Sequence, residues 1–360
     1  MTGGSLRGGV MVSAFLAMAI AASTCTGTGT TPSSRGSRSA SATSPSPEVT
    51  TLPSPSPRPE GIQVHYAPGT IVRFFAFNLA VPPFDDVHVR RAVAYAVDRS
   101  ELVDATRVPG YPVGAPATHL FPDVLEGDVL EDFDAYPGPD LVAAHEEMRR
   151  SKYDTDADGL CEQPVCHDIL TFAGFAFPGS PYFSQAKLLA RQMRPLGITL
   201  DVRACERCVF NYCHDPSRHI ALCVNQAFGS DYPDAVTLAA PLLDARSIGP
   251  DRCCNVTMLG ATPETLRGFH YRVRKVPDVQ WWLRRCEALV DGRQACWADL
   301  DRHLMLDIVP VIPVSFDITV DTVSENIVRY TWDVFGGILS LDHIAPCETP
   351  YTCTPDGCLG

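Results

Sequence analysis

The segment 26–60 restricts what this chain can fold into, because it carries almost none of the apolar side chains that a packed core needs. It consists almost entirely of Thr, Ser, Pro, Gly and Arg, and such a composition cannot offset the entropy lost on ordering. Its Ser-Pro repeats predict a disordered but extended, semi-stiff linker. We therefore expect the folded domain in residues 61–360, which are enough for one large or two modest α/β domains.

The N-terminus has the composition of an export signal. Arg7 is the one charged residue in residues 1–22, and residues 10–22 form an uncharged stretch rich in Ala, Val, Met and Leu. That stretch is shorter than the roughly 20 apolar residues that span a hydrocarbon core, and small residues close it. Residues 1–25 are therefore predicted to be a signal peptide, with a membrane anchor helix as the alternative.

Cys25 follows Ala22, Ser23 and Thr24, an order that resembles the bacterial lipobox, in which the Cys thiol is acylated and becomes the new N-terminus. A lipobox prefers Leu three residues before the Cys and Gly or Ala directly before it, positions that hold Ala22 and Thr24 here. We predict that Cys25 is lipidated and anchors the chain to the extracytoplasmic face of the cell membrane. The alternative is ordinary cleavage and secretion.

Charge and cysteine content narrow the partners and the compartment. The chain has 29 basic and 42 acidic residues, a net charge of -13, which disfavours nucleic acid and anionic lipid as partners. Fourteen cysteines in an exported chain favour disulfides. Four pairs lie close enough in sequence to staple local turns or helix pairs: Cys161 with Cys166, Cys205 or Cys208 with Cys213, Cys286 with Cys296, and Cys353 with Cys358.

Hydrophobic periodicity predicts alternating strands and helices. Residues 71–78 have the composition of a strand, and Asp85 and Asp86 stand where a helix that runs to about Val103 would be capped. Residues 169–175, 182–196 and 198–202 predict a parallel β-α-β unit. We further expect an irregular wrap at 111–138, helices at 141–150, 279–289 and 293–306, a strand at 219–224, and a strand at 308–316 in which Pro310 and Pro313 favour an edge or hinge role.

The segment 77–103, FNLAVPPFDDVHVRRAVAYAVDRSELV, resembles the hallmark stretch of the family 5 solute-binding proteins, the extracytoplasmic receptors of oligopeptide, dipeptide and nickel ABC importers. In that family an asparagine-bearing hinge strand, a PPF-D-D turn and an R-x-A-x-x-x-A-x-D-R helix open the second lobe. The matching residues here are Asn78, Pro82, Pro83, Phe84, Asp85, Asp86, Arg91, Ala92, Ala96, Asp98 and Arg99.

Three further blocks are similar to the family in the same order, at residues 196–198, 230–234 and 293–313. The resemblance covers residues 71–343 and implies an α/β fold of the periplasmic-binding-protein type 2 kind, mainly lobe II with its hinge strands. It also implies a solute-binding protein that delivers a small solute or short peptide to an ABC importer permease.

Members of this family have a first lobe between the signal and the FN-x-x-x-PPF block, where this chain has the linker. The resemblance therefore implies a second lobe alone, which would need a partner to close its cleft, either a separately encoded first lobe or another copy in a homodimer. The alternative is a surface module stabilised by disulfides and calcium, or a remnant of such a receptor that no longer transports.

The resemblance assigns ligand-binding roles. In peptide-binding relatives the acid of the A-D-Y-P-D cleft loop pairs with the α-ammonium of the ligand, which gives that role to Asp231 with Tyr232 and Asp234 beside it. Asn78 of the hinge strand is a further candidate. The alternative is that Asp231 and Asp234 cap a helix that begins near Ala235.

Asp154, Asp156, Asp158 and Gly159 form D-x-D-x-D-G, with Glu162 at the ninth position and Val165 at the twelfth. This spacing converges carboxylates on a hard cation and predicts a structural Ca²⁺ site. The alternative is an acidic turn stapled by Cys161 and Cys166.

No enzymatic pattern stands out. The spacing of Cys205, Cys208, Cys213 and His214 suits zinc, but disulfides are favoured in an exported chain. There is no G-x-S-x-G, H-E-x-x-H or Gly-rich phosphate loop. The sequence therefore predicts a binding protein rather than an enzyme.

Overall fold

A computed structural model describes residues 61–107, 114–174, 179–205, 207, 209–250, 252, 254–325, 327–329, 331–333, 338–340, 344–346, 353–354 and 357–358. The predicted signal peptide, the linker and Cys25 lie outside these residues. The described part is a mixed α/β fold, as expected from the sequence.

A six-stranded mixed sheet forms the centre of this fold. Its strands are β1 (Ile62–Phe77), β2 (Ala115–Pro116), β3 (Ile169–Gly174), β4 (Leu200–Cys205), β5 (Leu222–Gly229) and β6 (Val311–Ser324). Their order across the sheet is β2-β6-β1-β5-β3-β4. β3 pairs in parallel with β4 and β5, whereas β1 runs antiparallel to β5 and β6. The predicted parallel pairing of the strands of the β-α-β unit is confirmed.

The described residues contain nine α-helices: α1 (Val87–Ala96), α2 (Arg99–Asp104), α3 (Asp123–Glu126), α4 (Leu141–Met148), α5 (Pro181–Met193), α6 (Val236–Leu243), α7 (Pro263–Gly268), α8 (Gln280–Ala288) and α9 (Arg293–His303). Single 3₁₀ turns occur at Pro164–Cys166, Arg194–Leu196, Pro216–Arg218 and Ala245–Ser247, and π turns at Val209–Cys213 and Leu304–Ile308. None of the described helices has the length and apolar character that crossing a membrane requires.

The single helix predicted to run to about Val103 is wrong, because two helices occupy this segment. The side chain of Asp86 accepts the backbone N–H of His88 and starts α1. Asp98 has extended backbone angles and accepts the N–H of Glu101, so it caps a second helix, α2. A residue at an N-cap adopts non-helical angles, which is why Asp98 interrupts the first helix.

The pairing of β1 with β6 is longer than the predicted strands. It runs from the Ile62–Ser324 pair to the Ala76–Val311 pair, whereas β5 pairs with β1 only as far as Ile71. The first part of β1 and the end of β6 therefore form a two-stranded ribbon that projects from the sheet. The side chains at the other end of β1 are buried and belong to the main core.

Pro310 and Pro313 were expected to place β6 at an edge of the sheet or at a hinge, but β6 pairs with a strand on each side. Pro310 precedes the strand, and Pro313 lies opposite Phe74, where the register with β1 shifts. A bulge tolerates a residue without an N–H group. On its other side β6 pairs with β2 at Ser315 and Phe316. β6 is therefore an inner strand over these two residues.

Three small antiparallel pairs follow β6. They are β7 (Ile327–Arg329) with β10 (Ala345–Pro346), β8 (Trp332–Asp333) with β9 (Ile338–Leu339), and β11 (Cys353–Thr354) with β12 (Gly357–Cys358).

Disulfides join Cys161 to Cys166 and Cys286 to Cys296, as predicted. The prediction for Cys213 is wrong, because it bonds to Cys223 on β5 rather than to Cys205 or Cys208. The π turn Val209–Cys213 contacts β5, and this tertiary contact decides the pairing.

Cys205 and Cys254 are also disulfide-bonded. Since Cys205 and Cys213 are both committed to disulfides, the zinc alternative for this cluster is not realised. Cys208, Cys253 and the side chains of Cys353 and Cys358 lie outside the described residues.

Arg90 on α1 ties the start of the fold to its end. Its side chain is 2% exposed and donates to the carbonyl oxygens of Phe84, Ile308 and Val309 at 2.6 to 3.1 Å. Burial lowers the pKa of Arg90 to about 10, against the opposing effect of Asp86. The guanidinium therefore stays charged at neutral pH and holds α1 against the turn that leads into β6.

We expect Arg90→Met to lower the free energy of unfolding by about 3 kcal/mol, because it leaves buried carbonyl groups without donors. Urea denaturation followed by circular dichroism measures this change. Arg91→Met is the matched control, since Arg91 is more exposed and donates to a single carbonyl, that of Leu306. Equal losses in the two variants would contradict the role assigned to Arg90.

Candidate functional site

The strands β3, β4 and β5 run in parallel, so their carboxyl ends lie at one edge of the sheet. Ligands of open α/β sheets bind outside the carboxyl ends of the strands. The loop 230–235 follows β5 at this edge and leads into α6. It contains three of the predicted binding residues, Asp231, Tyr232 and Asp234.

The first half of this loop presents a free acid and an aromatic ring. The backbone N–H of Asp231 donates to Thr237 Oγ1 at 2.9 Å, which fixes its main chain. Its carboxylate is exposed and forms no hydrogen bond or ion pair with any described residue. Tyr232 beside it is 50% exposed. Asp231 and Tyr232 together are called the acidic corner below.

Asp234 has a structural role. Its Oδ2 lies 2.6 Å from Nε of Arg293 on α9, and its Oδ1 accepts the N–H of Val236 at 2.9 Å. The hydrogen bond to Val236 helps to start α6, and the ion pair with Arg293 joins the loop to α9. The capping alternative therefore describes Asp234, whereas the carboxylate of Asp231 caps nothing.

Arg73 on β1 is a charged residue that sequence reasoning missed. It lies opposite Ala227, two residues before the end of β5. Its guanidinium makes two bonds of 2.6 and 2.7 Å to Asp317 and lies 5.5 Å from the ring centre of Tyr182. Burial opposes its charge, but Asp317 outweighs burial and raises the pKa of Arg73. The signal was a lone Arg in the apolar run 71–77.

The charge of Arg73 is neutralised by Asp317, so Arg73 does not offset the charge of Asp231. Among the described residues, this edge therefore carries the ion pairs Arg73–Asp317 and Asp234–Arg293 beside the uncompensated carboxylate of Asp231.

Asn78 lies at the other end of β5, because its N–H donates to Ala221 just before that strand begins. Eight residues of strand span on the order of 25 Å. Its Nδ2 donates to the hydroxyl of Tyr271 at 3.0 Å and its Oδ1 accepts the N–H of Ala80. The structure therefore does not bring Asn78 to the acidic corner.

Neither of two depressions in the described surface includes the acidic corner. One, lined in part by Asn78, His214 and Asn255, has a volume of about 10 Å³, room for a single water molecule. The other is an open groove of about 500 Å³ beside Ile248, Arg252 and Phe269. Both residues of the acidic corner are exposed, so it is a surface feature.

The acidic loop after α4 brings three of its four predicted calcium ligands together. Carboxylate oxygens of Asp154, Asp156 and Glu162 lie within 4.8 Å of one another. Asp158 is not part of this group, and its Oδ1 accepts the N–H of Leu160. Gly159 has a φ of +93°, and a Cβ there would approach His145 to 2.9 Å, so the turn requires glycine.

The carboxylates of this loop lie close to one another, and their like charges repel. Slight desolvation and the charges of Asp158 and Glu162 raise the pKa of Asp156. Hydrogen bonds from Thr155 lower the pKa of Glu162 and keep it ionised. A cation between these carboxylates would relieve their repulsion.

Comparison with known proteins agrees with this architecture. Residues 45–249 match the model of the bacterial extracellular solute-binding proteins, family 5 middle. No curated protein matches the chain. Among solved structures, clavulanic acid biosynthesis oligopeptide binding protein 2 is 22% identical, with a TM-score of 0.61 over 79% of this chain and 48% of its own.

Two further structures are similar at lower identity. NikA from Brucella suis in complex with Fe(III)-EDTA is 17% identical, with a TM-score of 0.57 over 80% of this chain and 53% of its own. The dipeptide binding protein from Pseudoalteromonas sp. SM9913 in complex with Met-Leu is 18% identical, with a TM-score of 0.54 over 80% of this chain and 51% of its own.

At these identities the structures share the fold, and this chain spans about half of their length. The family match covers more than half of the chain and includes β1, the PPF-D-D turn and the loop 230–235. On this match, the chain belongs to family 5 of the bacterial extracellular solute-binding proteins.

Proposed function

We propose that this chain is the receptor component of an ABC importer and binds the amino terminus of short peptides at Asp231. The observation that carries the proposal is the exposed carboxylate of Asp231, which has no partner among the described residues. It projects at the edge of the sheet where ligands of α/β proteins bind.

The chemistry of the acidic corner fits a peptide ammonium group. A carboxylate and an ammonium form a charge-assisted hydrogen bond, which is stronger than a neutral one. The exposed ring of Tyr232 adds an apolar surface for the first side chain of the ligand. Two proteins of similar fold, the dipeptide binding protein in complex with Met-Leu and the oligopeptide-binding protein AppA from Bacillus subtilis in complex with a nonapeptide, support a peptide as the ligand.

The acidic corner needs a second surface to enclose a ligand, since good small-molecule sites bury most of the ligand. We infer that a separately encoded first lobe or another copy of this chain supplies that surface, and that an ABC permease receives the peptide. Sedimentation velocity with and without peptide distinguishes a dimer from a monomer.

We expect the purified protein to bind a free tripeptide weakly, with a dissociation constant on the order of 0.1–1 mM, and Asp231→Asn to weaken it about tenfold or more. N-acetylation of the tripeptide removes the ammonium and should weaken binding to the native chain by a similar factor. The Asp231→Asn variant, which already binds weakly, should bind the free and the N-acetylated tripeptide with the same affinity. NMR titration measures such affinities.

Glu264→Gln is the control, since this exposed carboxylate on α7 forms an ion pair with Arg267 and lies outside the loop 230–235. It should bind the free tripeptide as the native chain does. The proposal fails if the native chain does not distinguish free from acetylated peptide. An absence of any peptide binding would favour the surface module or the non-transporting remnant.

We propose that acylation of Cys25 anchors the receptor to the membrane. Cys25→Ala should then move the protein from the membrane fraction to the medium or the periplasm of the producing cells, as followed by immunoblotting. An unchanged distribution would contradict lipidation.

We also propose that the acidic loop binds Ca²⁺ as a structural clip, supported by the convergence of Asp154, Asp156 and Glu162. Calcium should raise the melting temperature by a few degrees and a chelator should reverse the rise. Asp154→Asn should abolish the response of the melting temperature to calcium, because it removes a predicted ligand. The two carboxylate oxygens of Asp154 also accept the N–H groups of Ala157 and Gly159, so this residue shapes the loop as well.

Asp158 lies outside the converging group. Calcium should therefore raise the melting temperature of Asp158→Asn by close to the amount that it raises that of the native chain. Scanning calorimetry measures these shifts. A melting temperature that is insensitive to both calcium and chelator would favour the stapled acidic turn.

A further inference from the structure

A group of ionisable side chains lies in the interior, away from the loop 230–235 and the acidic loop. His119 is 1% exposed, and Glu126 and Asp301 are fully buried. Their ligand atoms lie within 4.8 Å of one another. Asp123, on the same short helix as Glu126, adds a fourth group. We call His119, Asp123, Glu126 and Asp301 the buried acid cluster.

Several atoms of this cluster lack hydrogen-bond partners. Both carboxylate oxygens of Glu126, Nε2 of His119 and Oδ1 of Asp123 are buried and accept or donate no hydrogen bond. A buried polar group without a partner is costly, and a carboxylate is more so. Such atoms in a native protein call for an explanation, of which an ion is one.

The distances suit ligands of one ion. Nε2 of His119 lies 3.2 Å from Oδ1 of Asp123 and 3.8 Å from Oε2 of Glu126. The first contact is short, yet the two atoms do not form a hydrogen bond. Two ligands bound at about 2.0–2.2 Å in a tetrahedral site are about 3.4 Å apart. The observed separations bracket that value.

Neighbouring residues orient two of these groups. Nδ1 of His119 lies 2.8 Å from Oγ1 of Thr118. A histidine that donates its Nδ1 proton to an oxygen keeps a lone pair on Nε2, as metal-ligating histidines do. Asp301 on α9 accepts the N–H groups of Leu120 and Phe121, which holds its carboxylate toward the segment that carries His119.

The charges of the cluster are not balanced by the protein. Three carboxylates face one imidazole, and the nearby guanidinium of Arg302 is shared with Asp299. A divalent cation would compensate these charges.

We propose that the buried acid cluster is a binding site for a divalent transition-metal ion of the zinc type. A ligand set of one imidazole and three carboxylates is typical of zinc, manganese or iron and unlike the all-oxygen sites of calcium and magnesium. Asp123, whose side chain is 31% exposed, provides the route of entry from solvent. The ion would fasten the segment 119–126 to α9.

The test uses the purified full-length chain stripped with a chelator, and ZnCl₂ as the probe. We expect one equivalent of zinc by isothermal titration calorimetry and an X-ray absorption spectrum with nitrogen and oxygen neighbours only. Glu126→Gln and His119→Gln should each weaken zinc binding about 100-fold or more. Asp128→Asn, which changes an exposed carboxylate two residues beyond Glu126, should leave it unchanged.

Melting temperatures separate a metal site from a cluster that is merely protonated. Without metal, Glu126→Gln should melt at or above the temperature of the native chain, because it removes an unpaired buried acid. With zinc the order should reverse, since only the native chain gains from binding. A protonated cluster predicts no effect of zinc on either protein.

The proposal is overturned if the native chain takes up no zinc, if the zinc has sulfur neighbours, or if either Gln variant binds it as tightly as the native chain. Circular dichroism checks that each variant folds, and Asp123→Asn replaces any variant that does not. Parallel titrations with MnCl₂ and CaCl₂ test the class of ion. If this cluster bound calcium more tightly than zinc, the proposal would also be overturned.

Discussion

The pairing of β1 with β6 is the interaction on which the rest of the fold depends. These strands lie at the two ends of the main folded segment, and the chain between them returns to complete the same sheet. Arg90 strengthens this closure by bonding Phe84 of the early turn to Ile308 and Val309 of the late one. A long-range pairing of this kind costs loop-closure entropy, which the buried apolar half of β1 offsets.

The protein handles charge differently in three places. Arg73 and Asp317 neutralise each other beside the edge of the sheet. The carboxylate of Asp231, at the same edge, is exposed and has no positively charged partner among the described residues, and solvation by water stabilises its charge. His119, Glu126 and Asp301 of the buried acid cluster are shielded from solvent, and a charge in that position requires a counter-ion or a proton.

Much of the architecture was predictable because it rests on local patterns. The apolar runs within β1 and β3 and the cap formed by Asp86 follow from short-range chemistry, whereas the inner position of β6 depends on its pairing with β2. The division between α1 and α2 was missed, since Asp98 is also compatible with a continuing helix. The partner of Cys213 was missed because Cys223 reaches it only through packing of a π turn against β5.

The sequence by itself determined the family, the order of the elements and the acidic loop, because these depend on residue types at fixed spacings. Only the tertiary structure decided which acids are free. It left the carboxylate of Asp231 exposed, bound that of Asp234 to Arg293, and placed Asn78 at the far end of β5. It also brought Asp301 to His119 and Glu126 across more than 170 residues. Spacing along a chain cannot reveal such contacts, because packing of distant elements creates them.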